Sequence, residues 1–172
     1  MTYAETPPTE AELEELVNDL NYEIWMFHEL ATIELPEVGP ISEGGAVVNA
    51  VIEAILVHCR CLMDFFGNSP KKDDVVAGHF VPDWDPVKDG GAELAWLEEH
   101  LGVVIDKRVA HLTAYRQRVP KEETAELVMD VFNAVVAVVK RFHARLPASW
   151  KRLVLDVEPV DLEDIGALYL KS

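Results

Sequence analysis

The chain has 172 residues, 49% hydrophobic and 27% charged, enough apolar sequence for one domain over 1–172 with a real core, and too ordered a composition for a disordered protein. Acids outnumber bases by 31 to 15, for a formal net charge of -16; beyond a Debye length of about 8 Å such a body repels polyanions, so RNA is a disfavoured partner. No apolar run approaches the roughly 20 residues that cross a bilayer, and the acidic "MTYAETPPTEAELEEL" lacks a signal-peptide pattern, so a cytoplasmic protein with no membrane partner is expected.

Apolar residues recur at three and four, and strand alternation is nearly absent, which predicts an all-α chain. A first helix is expected over residues 9–34, with Thr9 as its cap and Glu12 as the capping-box partner. Leu13, Leu16, Val17, Leu20, Ile24, Phe27 and Ala31 form one stripe. Trp25, Met26 and Leu30 fall outside it and hint at a second buried surface. "LPEVGP" breaks this helix.

A second helix is expected over 42–67, with Ser42 as cap and Gly67 as stop. The long segment "NSPKKDDVVAGHFVPDWDPVKDGG" follows, with one short helical turn near "DDVVAGHF"; loops of this length in compact domains are often functional. A third helix begins near Ala92, passes Gly102 as a candidate kink and continues to about Arg118, where Pro120 ends it. A fourth covers 121–146, with Val128, Val131, Phe132, Val135, Val139 and Phe142 on one face. The C-terminal "WKRLVLDVEPVDLEDIGALYLKS" reads as an extended arm and a final short helix. Four long helices with such connections predict an up-down four-helix bundle.

The second helix, around "NAVIEAILVHCRCLMDFF", is apolar almost all the way round. Its polar groups are few. At about 100° per residue, Asn49, Glu53, Arg60 and Asp64 share one narrow stripe, and His58 lies on roughly the opposite side. A helix apolar over so much of its circumference must be covered on most faces. A monomeric bundle covers only part of each helix, so a homodimer with this helix near the interface is expected. Arg60 and Asp64 are spaced for a local ion pair, and a bridge from Glu53 to Arg116 would account for both of those residues. Lone His58 reads as a neutral core group with a satisfied hydrogen bond. Cys59 and Cys61 point roughly 200° apart on a helix, so they cannot easily bond to each other, and core packing is their expected role.

The first Lys or Arg is Arg60, and bases gather in "KRVAHLTAYRQRVPK" and "KRFHARLPASWKR". Two readings follow: acidic and basic helices neutralise one another inside the bundle, or the basic segments form a face for nucleic acid. In "DKRVAHLTAYR", Lys107, His111 and Tyr115 lie one turn apart on one side. A His beside cations has a lowered pKa and suits general-base work near neutrality.

Together, "NAVIEAILVHCRCLMDFF", "DDVVAGHFVPDW" and "DKRVAHLTAYR", spanning Asn49 to Arg116, resemble a widespread uncharacterised bacterial family that looks like a divergent relative of HEPN domains. The resemblance implies a dimeric four-helix bundle. It also implies one of two roles: a non-catalytic interaction module, or a metal-independent ribonuclease of a toxin or phage-defence system. The family's catalytic signature is an Arg followed, a little over one turn later, by a His near the dimer interface. His111 matches that His. The Arg is displaced, since Arg108 stands three residues before His111 and Lys107 four. On the ribonuclease reading, His111 would move the proton and Lys107 or Arg116 would stabilise the phosphorane.

Other enzyme classes find no support. The residues three before His28, His58, His100, His111 and His143 are Trp25, Ile55, Leu97, Arg108 and Lys140, none acidic, so the Glu-x-x-His pattern of di-iron bundles is missing there. No P-loop, dinucleotide fingerprint, zinc motif or nucleophile elbow is present, and no cofactor or metal is expected. The all-acidic first third leaves a protein partner of basic character as the other candidate ligand.

Overall fold

The computed structural model describes residues 8–33, 41–67, 74–105 and 121–157; within the helices, the side chains of 41–46, 48–49, 102–105 and 121–127 lie outside the description. The described residues are helical with no strand. They form α1 (Glu10–Thr32), α2 (Ile41–Phe66), α3 (Ala77–Phe80), α4 (Gly91–Ile105), α5 (Lys121–Arg145) and α6 (Ala148–Lys151).

α1 starts where the capping box puts it. The Thr9 hydroxyl accepts from the Glu12 N–H at 3.3 Å, and the Glu12 carboxylate accepts from the Thr9 N–H at 2.7 Å. Leu13, Val17, Leu20, Ile24, Phe27 and Ala31 are buried, and Leu16 is half-buried at the stripe's edge. α2 spans Ile41–Phe66, which places Ser42 within its first turn and not ahead of it as expected. At the other end the helix stops at Gly67, whose N–H reaches Met63 O at 2.8 Å. The Phe66 carbonyl, an orphan of the last turn, accepts from the buried Trp84 indole at 2.8 Å.

α1 packs on α2 and α5, α2 packs on α4 and α5, and α4 packs on α5. Phe27 of α1 stacks on Phe132 of α5. The short turn expected near "DDVVAGHF" is α3, which buries Ala77 and Phe80. α4 stays helical past Gly102 to Ile105, and the expected continuation to Arg118 lies outside the described residues. On α5 every expected core position is buried: Val128, Val131, Phe132, Val135, Val139 and Phe142.

Two features were not expected from sequence. α6 follows Pro147 directly and buries Trp150. After it, the arm straps onto α1. The Asn21 side chain donates to Leu153 O at 2.8 Å and accepts from the Leu155 N–H at 2.7 Å, as a neighbouring strand would. Val154 and Val157 of the arm are buried. The final short helix expected at the C-terminus falls outside the described residues.

The turn into α4 needs its glycines. A Cβ on Gly90 would stand 2.4 Å from Pro86 O and 2.5 Å from Leu94 Cδ2, and Gly91 has φ +68°. This close turn brings Asp83, Asp89 and Glu93 to the C-terminal end of α5.

Candidate functional site

The polar groups of α2 resolve into two local arrangements. Arg60 Nε donates to Asp64 Oδ2 at 3.1 Å, the expected i,i+4 pair on a solvent-facing side. An exposed pair of this kind contributes little to stability. His58 is different. Its Nδ1 stands 2.8 Å from Glu23 Oε2 of α1, and both side chains are mostly buried. The Tyr22 ring meets the His58 ring edge-on at 5.9 Å. Cys61, expected to pack in the core, is exposed on α2 near the Glu23 carboxylate. The Cys61 thiol is held above its ordinary range, by partial burial first and by Glu23 next. A thiol in that state is a poor nucleophile. Buried Cys59 is pushed up to about 12 by burial and is inert. The cross-helix Glu23 was not picked out from sequence. Nothing in its local sequence marks it, since it is one acid among many on α1.

Glu53 is half-buried on α2. Its expected partner Arg116 lies outside the described residues, as do Lys107 and His111. Asn49 lies within α2, but its side chain is outside the description. The structure therefore pairs Arg60 with Asp64 and turns His58 away from them toward Glu23 of α1, while the His111 group lies outside the described residues.

The second basic segment is neutralised from within. Arg141 Nη2 donates to Glu93 Oε2 at 2.6 Å and to Gly90 O at 2.7 Å. Arg145 bonds Asp89 through Nη1 and Asp83 through Nη2, the latter at 2.7 Å. His143 faces Lys151 O at 3.1 Å and Asp156 at 3.5 Å. The Asp89 carboxyl lies below its ordinary range, chiefly because it accepts from the Asp85 N–H and is then helped by the Arg145 guanidinium. Glu93 is lowered first by its hydrogen bond from Arg141. Here the acidic turn and basic helix end cancel, as the first of the two charge readings expects. The signal was present as "DWDPVKDGGAE" against "KRFHAR", but which acid meets which base depends on how the turn is folded.

The remaining histidines face carbonyls, amides or rings. His79 Nδ1 accepts from the Val76 N–H at 3.4 Å, and burial keeps its pKa below the usual value. His100 stacks on Trp96 and faces Trp96 O at 3.0 Å. His28 lies against the Phe132 ring. Among the described residues no three His, Cys, Asp or Glu side chains are placed to hold a metal ion, and no described helix is long and apolar enough to cross a membrane.

What stays open is apolar. On the outer surface of α2, Val47 is 47% exposed and Val57 44%, with Ala50 and Cys61 exposed between and beyond them. Beside them on α1, Tyr22 is 52% exposed and Trp25 48%, with ring centroids 6.5 Å apart. Fold and site together define the class, an all-α protein with Tyr22, Trp25, Val47 and Val57 of α1 and α2 among its exposed large hydrophobic residues, beside Ile33, Val87, Leu153 and Leu155 elsewhere. No protein-family model, curated protein or solved structure matches the chain.

Proposed function

We propose that the protein is a HEPN-like, up-down four-helix bundle that acts as a non-catalytic interaction module and works as a homodimer. The observation that carries this is the outer surface of α2 with the neighbouring Tyr22 and Trp25, apolar and about half exposed among the described residues. Exposed apolar surface gathered in one place marks binding sites. The pairwise packing of α1, α2, α4 and α5 is compatible with the bundle. The free thiols of Cys59 and Cys61 suit a reducing compartment such as the cytoplasm.

Light scattering on the purified chain at micromolar concentration tests the reading. The expected mass is twice the 19.3 kDa of one chain; a 19.3 kDa species alone overturns it. The rival ribonuclease reading rests on His111, with Lys107 and Arg116. The described histidines lend it no support, because each is engaged by a carboxylate, backbone group or ring. Incubating the protein with single-stranded RNA in EDTA separates the two. No cleavage is expected. Cleavage abolished by His111→Ala, with melting and mass unchanged, would replace the interaction reading with the enzyme.

A further inference from the structure

The segment that closes the aromatic end of α2 makes its first contact through α3. Val76, Ala77, Phe80 and Val81 are buried. The Phe80 ring meets Phe65 of α2 at 6.0 Å, Phe142 of α5 at 6.4 Å and Trp150 of α6 at 5.3 Å. Two backbone links carry the chain on to Trp84. The Val81 N–H donates to Ala77 O at 2.9 Å, and the Trp84 N–H donates to Val81 O at 2.8 Å. A helix of one turn depends on its packing and its ends, since a lone turn fixes several residues for a single hydrogen bond.

The first end of α3 is held by a titratable side chain. His79 Nδ1 accepts from the Val76 N–H at 3.4 Å, and the His79 N–H donates back to Val76 O at 3.0 Å. An accepting nitrogen needs a lone pair. The neutral ring with its proton on Nε2 has one at Nδ1, whereas both nitrogens of the imidazolium are donors. Protonation therefore sets one donor against another at the Val76 N–H. It also puts a charge on a half-buried ring.

We infer that His79 is an acid-sensitive latch, and that uptake of one proton loosens α3 from the aromatic end of α2 while the main helices stay folded. Burial already holds the His79 pKa below its ordinary 6.5. The fold thus prefers the neutral ring, so the latch holds fully above pH 6.5 and is lost as pH falls through the lowered value. The charged groups on the elements that Phe80 touches are engaged elsewhere. Arg60 pairs with Asp64 on α2. On α5, Arg141 holds Glu93, Arg145 holds Asp83 and Asp89, and His143 faces Asp156. Neither these groups nor Lys140, Lys151 or Asp74 contributes to the His79 shift, whose cause is burial. The rim responds in a different range. Asp89 and Glu93 lie below their ordinary 3.8 and 4.5, so they stay ionised while His79 takes up its proton. Their contacts with Arg145 and Arg141 keep the turn into α4 in place and confine the opening to α3.

Hydrogen exchange read by mass spectrometry tests the latch, with rates corrected for the intrinsic pH dependence of amide exchange. Between about pH 7.5 and about pH 5.5, opening of residues 76–84 should rise about threefold or more, with residues 128–139 of α5 unchanged. In His79→Asn an amide oxygen takes the place of Nδ1 and accepts the same N–H without titrating, so the rise should vanish. A second reading needs no variant: the His79 ring resonance should titrate over the same pH range as the exchange. A flat response in the unaltered chain overturns the latch. So does an equal rise in His79→Asn, a matching rise in α5, or a ring that titrates outside that range.

Discussion

The aromatic cluster around Phe142 and the outer face of α2 are made of similar residues and end in opposite states. Phe142 meets Phe65, Phe66 and Trp84 at ring-centroid distances of 5.3, 5.4 and 5.5 Å, and Phe80 at 6.4 Å. Trp150 closes on Phe80 at 5.3 Å. The Trp84 indole takes the last carbonyl of α2, and Asp89 and Glu93 hold Arg145 and Arg141 over the rim, where the Arg141 Nε is buried without a hydrogen-bond partner. On the other face Tyr22, Trp25, Val47 and Val57 stand about half in water. Both regions belong to α2, since Phe65 and Phe66 end the same helix on which Val47 and Val57 lie. The difference is in what covers them. Beyond its C-terminal end, the chain returns through the 74–90 segment and α6. Along its outer face no described element returns.

The contrast breaks hardest at Phe142. Phe142→Ala should cost about 3–5 kcal/mol, because rigid neighbours on α2, α3 and the turn cannot collapse into the gap. Thermal and denaturant unfolding would measure it, and a loss under 1 kcal/mol would mean that the closed end is loosely packed. Next comes the rim. Asp89→Ala removes one of two carboxylates from Arg145 and the acceptor of the Asp85 N–H, and should cost about 2 kcal/mol.

The same rim sets a pH dependence. Asp89 and Glu93 have depressed folded-state pKa values, against ordinary values of 3.8 and 4.5. Their contribution is therefore complete above pH 4.5 and is lost as pH falls through the depressed values. Asp89→Asn should flatten the acid limb of the stability curve; an unchanged limb would show that the rim pairs do not hold in solution.

Thr9→Ala, which removes the α1 capping box on the open side, should cost about 1 kcal/mol. Smallest in stability is Val57→Asp on the open face. Its effect on melting of the monomeric chain should stay within about 0.5 kcal/mol, while light scattering should show the dimer lost. A large destabilisation with the mass unchanged would mean that Val57 is core, and the two regions would no longer be opposites.

Much of this was legible residue by residue. The Thr9–Glu12 cap, the buried stripes of α1 and α5, the Gly67 stop, the short turn at Ala77–Phe80 and the Arg60–Asp64 pair all depend on residues within about one or two turns of each other. Local spacing determines such features, because a helix fixes which neighbours share a face. The sequence predicts a core His58 with a satisfied hydrogen bond; the bond is present, but the ring is half-buried and its partner Glu23 lies on another helix. The Asn21 strap on the 153–155 arm, the Arg145–Asp89 contact and the burial of Trp150 by α6 join residues far apart in the chain. One-dimensional spacing carries no record of which helix flank faces which.

By itself, the sequence determined that the described residues would be helical, that Thr9 and Glu12 would cap α1, that Gly67 would stop α2, and which residues of α1 and α5 would share a buried face. It did so because helix periodicity and end chemistry act over a few residues. The tertiary structure decided which part of the apolar surface of α2 is left over. The aromatic end of α2 is sealed because the return segment, α5 and α6 meet there, while the Val47–Val57 stripe faces outward because α1, α4 and α5 already occupy the other sides of the helix. Burial is a property of the whole packing, since a residue's exposure depends on every element that could have covered it.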